Sequence, residues 1–578
     1  MNILSYSGIL ILSLLGCSNH LCQGKDEVIK KSNYYVLDMV HHNPGEERTV
    51  TAFNSPEKLA SYGYTGKVLN DFKFAHCAIT YGSLNPNIFP AGSKERQWVN
   101  EVAGYVQNEI EQCHKNNIAI YCFLDIIVIP KKLKELYADS LCNADGKIDF
   151  NKPFTRKVHR IMIDEVFKKF PDLDGLVIRT GETYLHSVPY HTGNNPILSR
   201  DTAELVSTHI ELINLLREEV CVKRDKKLFY RTWDFGFFHT EPEIYLNITN
   251  HVKPHQNLIF SIKHTDGDYH RTFAFNPTLT LGQHPQIVEV QCQREYEGKG
   301  AYPNYVMKGV IEGFEEYPDS LPLHGLKDIS EHENFAGIWS WSRGGGWVGP
   351  YIQNELWCDL NAYVISQYAQ DPKKPEEDIF HSYMLQMGLS TEDQEYFREL
   401  AQLSPKAVVR GRNSLVHPVN VWWTRDQFLG GIDQLKEDFE AIMDKGLVEA
   451  ILAEKQEAVN MWTRIVWLSN QIKSGSADNI AYLKTSADYG LYKYSIIEQA
   501  WTVMLLGLQG DITGEYDKNR ITSAIKKYDK LWLEYTQFVQ SSPNSATIYH
   551  PYYFKFEPPD FLGDEGMATS IEKYRFLQ

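Results

Sequence analysis

Between residues 34 and 343 short β-rich runs alternate with amphipathic helical stretches at the spacing of βα units, and no other pattern in this chain restricts its fold so tightly. The runs are "YYVLDMVHH" from 34, "FAHCAITYG" from 74, "IAIYCFLDII" from 118, "LDGLVIRTGE" from 173, "KLFYRTWDFG" from 227, "NLIFSIKHTDGD" from 257, "IVEVQCQREYEG" from 287 and "FAGIWSWSRGGGW" from 335. Between them lie stretches such as "KERQWVNEVAGYVQNEIEQCHKN" and "TRKVHRIMIDEVFKKF", with apolar residues at i, i+3, i+4 spacing. Eight strands joined by crossovers of this length predict an α/β fold of the (β/α)8 TIM-barrel type.

Such barrels run their chemistry at the C-terminal ends of the strands, and these runs end in polar residues. Strand one ends in Asp38 and His41-His42, strand three in Asp125, strand four in Arg179 and Glu182, and strand five in Arg231 and Asp234. Strand six ends in Lys263, Asp266 and Asp268, strand seven in Glu289 and Glu295, and strand eight in Trp341 and Arg343. Residues two apart on a strand point the same way. In strand seven Val288, Val290 and Cys292 therefore form an apolar face toward the helices, and Glu289, Gln291, Gln293 and Glu295 form a polar face toward the barrel axis.

After about residue 360 strand-like runs give way to long helical patterns, which predicts a mainly α-helical C-terminal domain. The expected divisions are 1–26 as signal and tether, 27–360 as the barrel and 361–578 as the helical domain. Packing of that domain against the barrel is the favoured expectation, and a homodimer through one helical face is the alternative. The apolar run "ILSYSGILILSLLGC" at the N-terminus is too short for a membrane span and resembles a bacterial lipoprotein signal. On that reading Cys17 is lipidated and the protein is lipid-anchored in a bacterial cell envelope, its only membrane association; an ordinary cleaved signal peptide is the alternative.

The 74 acidic and 58 basic side chains give a formal charge of -16, which repels nucleic acid and anionic membrane surfaces. An acidic ligand would need a local basic pocket. The cysteines include no CxxC pair and no Cys/His cluster at metal-ligand spacing, so they read as core thiols, and no metal or cofactor is expected.

Three stretches carry a distant resemblance to the α-glucuronidases of glycoside hydrolase family 67. "GLVIRTGE" resembles that family's strand-four segment, "LFYRTWDF" its strand five, and "IFSIKHTDGDYHR…EVQCQREYEG" its strands six and seven. "ELWCDLNAYVISQYAQDPKKPEEDIF" is similar to the passage from its barrel into its helical domain. The resemblance implies that Glu182 is the general acid, that Asp268 and Glu295 share activation of water, and that Arg179, Arg231 and Lys263 surround the uronate. The strand-four segment here is one residue shorter than the family's, and there is no room between Cys17 and the first strand for that family's N-terminal β domain.

Residue chemistry agrees with such a role, because glycosidic cleavage needs one carboxylic acid at the leaving oxygen and one carboxylate acting from the other face. Arginine can grip a carboxylate bidentately, so Arg179 and Arg231 are candidates to hold a uronate, while Trp233, Trp339, Trp341 and Trp347 offer flat faces for sugars. Other roles stay open at each position: a rim salt bridge to Arg179 for Glu182, a turn aspartate for Asp268, a solvated charged run with Arg294 and Glu297 for Glu295, pairing with Asp234 for Arg231. Glu289 is the reserve carboxylate. The expected activity is removal of an α-linked uronic acid from polysaccharide-derived oligosaccharides with inversion. The alternatives are a same-fold glycosidase for a neutral or deoxy sugar and a non-catalytic glycan-binding lipoprotein.

Overall fold

The computed structural model describes residues 34–578 apart from 44–45, 71–73, 184, 186–187, 235, 347–348, 420–429 and 550–565. Cys17 with its signal run and Trp347 lie outside the described residues.

Eight parallel strands close into a barrel: β1 (Tyr35–His41), β2 (Gly66–Leu69), β3 (Ala119–Asp125), β4 (Gly175–Arg179), β5 (Lys227–Arg231), β6 (Leu258–Lys263), β7 (Gln286–Gln291) and β8 (Phe335–Gly344). Each pairs with the next in chain order, and β8 returns to β1. The barrel expected from the alternation is present, with one strand misplaced. The run at 74–82 is not the second strand: Ala75–Cys77 form a 3-10 turn, and the strand is the four-residue "GKVL" at Gly66–Leu69. Phe74, Ala75, Cys77, Ala78 and Ile79 are buried as thoroughly as any strand, and an apolar run buried in an irregular segment cannot be told from a buried strand by periodicity. "GKVL" is short and carries a glycine and a lysine, both depleted in strands.

The strands have two clean faces. Leu37, Met39, Val68, Tyr121, Phe123, Val177, Phe229, Ile259, Ile287, Trp339 and Trp341 fill the barrel interior as one cluster. The alternate residues, among them Ile120, Cys122, Leu176, Ile178, Leu228, Phe260, Val288, Val290 and Cys292, belong to the outer core with the surrounding helices. Those include α1 (Lys94–Lys115) and α2 (Pro153–Lys169), the two quoted amphipathic stretches. The parity predicted for strand seven is therefore the one observed. Asp38 has the outward parity and accepts hydrogen bonds from Ser340 Oγ (2.6 Å) and Ser342 Oγ (2.7 Å) on the next strand, so it lies beneath the mouth and not in it.

From α3 (Leu356–Gln370) onward the regular elements among the described residues are helical, and they lean on the barrel. Asn361 Nδ2 on α3 donates to the carbonyls of Cys292 and Asn304, each at 3.1 Å. Tyr482, on the 37-residue helix α4 (Ala477–Thr513), donates to Gly300 O at 2.5 Å. The described cysteines are buried and free of disulfides, and none of the described helices is long and apolar enough to cross a membrane.

Candidate active site

Followed toward the C-terminal ends of the strands, the inward columns change from apolar to charged. Phe123 is succeeded by Asp125, Val177 by Arg179, Phe229 by Arg231, Ile259 by Ser261 and Lys263, and Ile287 by Glu289 and Gln291. The charges answer one another across neighbouring strands. Asp125 and Arg179 are opposite in register, and the guanidinium donates from Nε (2.5 Å) and Nη2 (2.6 Å) to the two carboxylate oxygens. Arg231 reaches past β6 to Glu289 with Nε and Nη2, both at 2.8 Å, and Ser261 Oγ on the strand between donates to the same carboxylate at 2.9 Å. Tyr269 adds a fourth hydrogen bond to Glu289 at 3.2 Å.

These pairs change the expected roles of the two arginines. Each presents the Nε/Nη2 edge that was to grip a uronate to a protein carboxylate, because a guanidinium on an inward position of a closed barrel must be neutralised there. The partner of Arg231 is Glu289 rather than Asp234, which accepts from the Gly236 backbone N–H and lies 3.2 Å from His209 Nε2. Glu289, fully buried, is occupied by Arg231, Ser261 and Tyr269.

The three candidate catalytic carboxylates sit on the loops after β4, β6 and β7. Asp268 is gripped from two sides: Lys263 Nζ donates to Oδ1 at 2.6 Å and the Tyr296 hydroxyl to Oδ2 at 2.5 Å. Burial alone would raise its pKa, but the Lys263 charge and these hydrogen bonds outweigh burial and hold it below the ordinary aspartate range. It also accepts the Tyr269 N–H at 3.0 Å, so Asp268 is a turn aspartate as well as an ionised carboxylate in the mouth.

Glu295 is buried and fastened by Gln291, whose amide donates to Oε1 at 3.1 Å and accepts the Glu295 N–H at 2.7 Å. The glycine run 344–346 closes over it. At Gly345, with φ at +89°, an added Cβ would lie 2.8 Å from Gln291 Nε2 and 3.0 Å from Glu295 Oε2, a contact only glycine permits. Glu182 is half-buried. Burial works against the charge of Arg231; Glu289 and then Tyr269 outweigh it, and the charge of Glu182 adds to them in holding Arg231 protonated. The Tyr269 phenol is pushed well up by burial and then by Glu289, with Asp268 and Glu295 adding and Arg231 opposing. Arg231 and Tyr269 thus tie the carboxylates of Glu182, Asp268, Glu289 and Glu295 into one electrostatic neighbourhood.

The charged run beside Glu295 is not solvated. Arg294 donates to Glu297 from Nε (3.1 Å) and Nη2 (2.5 Å), both residues are buried, and Glu297 also accepts the Arg271 N–H at 2.9 Å. Burial pushes Glu297 up, but Arg294 outweighs it, with Arg271 adding, and its pKa falls from 4.5 to about 2. A depressed folded-state pKa contributes stability in full above the unfolded value and loses it as pH falls through the folded one. The difference in Tm between wild type and Glu297→Gln is accordingly expected to be largest near pH 6 and to shrink from about pH 4.5 downward; a difference that widens on acidification would contradict the pairing.

The tryptophans divide. Lys263 Nζ lies 3.6 Å from the centroid of the Trp233 ring, which occupies that face. Trp339 is fully buried. Trp341 stacks on His41 with ring centroids 5.1 Å apart and planes 7° from parallel, and meets Tyr269 edge-on at 5.2 Å. A cavity of about 510 Å³ is lined by Asn43, Gln293, Lys299, Arg343 and Tyr351, with Glu46 and Glu47 also on its wall. Tyr269, Tyr296 and Ser261 were not singled out from sequence, and Gln291 was named there only for its inward parity, which it shares with Glu289 and Glu295.

No protein-family model and no curated relative matches the chain. Among solved structures, a GH138 enzyme targeting pectin rhamnogalacturonan II is similar with a TM-score of 0.56 and 11% identity over 95% of this chain and 83% of that one. A variant of the Thermobaculum terrenum O-GlcNAc hydrolase gives a TM-score of 0.41 at 10% identity, over 88% of this chain and 95% of that one. The Flavobacterium johnsoniae chitobiase gives 0.34 at 10%, over 87% and 78%. At these identities the first likeness, which spans nearly the whole chain, is one of fold.

Proposed function

We propose that this protein is a glycoside hydrolase that removes an α-linked uronic acid from polysaccharide-derived oligosaccharides. The observation that carries the reading is the meeting of three carboxylates from separate strand-end loops around Arg231 and Tyr269, one of them, Asp268, held ionised. Glycosidic cleavage asks for one carboxyl group that gives a proton and one carboxylate that acts as an anion, and Asp268 fits the second role. Glu182 protonates the leaving oxygen. Asp268, kept as an anion by Lys263 and Tyr296, takes a proton from the attacking water, and Glu295, fixed by Gln291, orients that water. The shared fold with a GH138 enzyme that targets a pectin is in keeping with a carbohydrate substrate.

A uronate is favoured by Lys299 and Arg343 on the wall of the cavity with Asn43 and Gln293, although Arg343 also pairs with Glu355 and Gln293 and Lys299 donates to the carbonyls of Gly346 and Gly349. The neutral-sugar reading is favoured by a different observation, the self-neutralised pairs Asp125–Arg179 and Glu289–Arg231. Mass spectrometry of products from a panel of uronate-containing and neutral oligosaccharides decides between them; if the protein binds panel members and cleaves none, the glycan-binding reading replaces both. On the same reading the N-terminal run is a lipoprotein signal, Cys17 carries the lipid, and the enzyme works anchored in a bacterial cell envelope.

The reaction is expected to invert the anomeric centre, as the resemblance to family 67 implies. An inverting pair leaves about 6.5–9.5 Å for water between acid and base. Proton NMR of the first sugar released should show the β-anomer before mutarotation. First appearance of the α-anomer would place a covalent intermediate on one of the three carboxylates.

A further inference from the structure

The barrel mouth has two unlike halves. On β3 to β7 the inward columns end in Asp125, Arg179, Arg231, Lys263 and Glu289, and their charges are met by one another or by Asp268. The other three strands, β8, β1 and β2, are consecutive in the barrel; at their ends stand Trp341, His41 and Asn70, and Arg343, the charged group beside them on β8, is met by Glu355 and Gln293. Trp341 and His41 are stacked there. Asn70 follows Val68 on the inward parity of β2 and, continuing the register of Asp38 opposite Lys67, stands level with His41.

All three are more than nine-tenths buried. Among the described residues Trp341 Nε1, His41 Nδ1 and both amide atoms of Asn70 have no hydrogen-bond partner. Both amide atoms of Asn70 are unmet, so either orientation of the amide leaves a donor and an acceptor unsatisfied. Buried polar atoms are nearly always paired. Single unmet atoms also occur at Thr180 and His264 on the charged side, and the four here differ in being grouped on three adjacent strand ends, which marks a surface completed by something else. The groups specify its chemistry. The indole needs an acceptor, the amide needs both a donor and an acceptor, and His41 is kept neutral by burial and by Arg179, Arg231 and Lys263. A hydroxyl supplies both roles, whereas a carboxylate only accepts.

We infer that the β8–β1–β2 sector is a neutral subsite that takes the hydroxyl-bearing edge of a sugar ring, with Asn70 and His41 as specificity-determining residues. The inference rests on the glycosidase reading above. The scissile bond then faces Glu182, Asp268 and Glu295, and the sugar is held by hydroxyl contacts whatever its charge.

The test uses the full chain labelled with 5-fluorotryptophan, with the Trp341 signal assigned through Trp341→Phe. D-glucuronic acid, D-galacturonic acid, D-glucose and L-fucose are titrated by fluorine NMR and by calorimetry, and hydrolysis is followed on their aryl α-glycosides. At least one sugar should shift the Trp341 signal saturably. Asn70→Ala, and separately His41→Phe, which keeps the ring stack, should each weaken that sugar about tenfold, the loss of one or two hydrogen bonds. Hydrolysis with no Trp341 shift and wild-type affinity in both variants overturns the subsite and leaves the glycosidase reading standing. A Trp341 shift and weakened variants without hydrolysis of any glycoside sustain the subsite and remove the glycosidase reading. No shift with any sugar assigns the unpaired atoms to buried water and overturns the subsite.

Discussion

Glu182→Gln is expected to lower turnover of the natural oligosaccharide by about 10²–10⁴-fold, the usual contribution of a positioned general acid, with ligand binding nearly unchanged. The substitution keeps the shape of a half-buried side chain and removes its transferable proton. A leaving group that departs as a nitrophenolate needs little protonation, so the same variant should be far less impaired on an aryl glycoside. That contrast, read as the ratio of kcat on the two substrates, separates proton donation from a structural role, which would depress both alike. Wild-type turnover of the oligosaccharide by Glu182→Gln would make Glu182 a rim residue paired with the cations around it.

Glu289→Leu is expected to cost about 3–5 kcal/mol of stability, because it leaves the Arg231 guanidinium buried and unpaired in the barrel. Arg231→Met strands Glu289 in the same way and should cost a similar amount. The double variant Arg231→Met/Glu289→Leu should recover most of the loss, since a buried ion pair can often be replaced by apolar side chains at little cost. Thermal melts of the four proteins complete a cycle whose coupling term is the test. Additive losses would mean that the two groups do not depend on each other. Arg231→Ala is for this reason a poor probe of uronate binding: its first effect is to uncover Glu289.

How much of this was legible in the sequence differs from level to level. The alternation of apolar runs and amphipathic stretches is a local property, and it was sufficient to specify an eight-stranded barrel followed by helices. The parity of strand seven placed Glu289 and Gln291 inward because pleating makes side-chain direction a matter of counting. Strand-end position likewise placed Glu182, Asp268 and Glu295 at the mouth. The second strand escaped because the turn at Ala75–Cys77 is buried against α1, α2 and β3 without being a strand, and four residues of "GKVL" are too few to show a period.

What only the tertiary structure decided was which charge meets which. Asp125 and Arg179 are 54 residues apart and Arg231 and Glu289 are 58 apart; their pairing follows from strand register and barrel closure, which no local pattern encodes. The same holds for Trp233, whose face is taken by Lys263, and for the division of the mouth into a sector of paired charges and one where Trp341, His41 and Asn70 stand with unmet atoms. Residue types and strand parity set the chemistry available to this protein, and closure of the barrel determined which groups spend their hydrogen bonds on one another and which stay unmet.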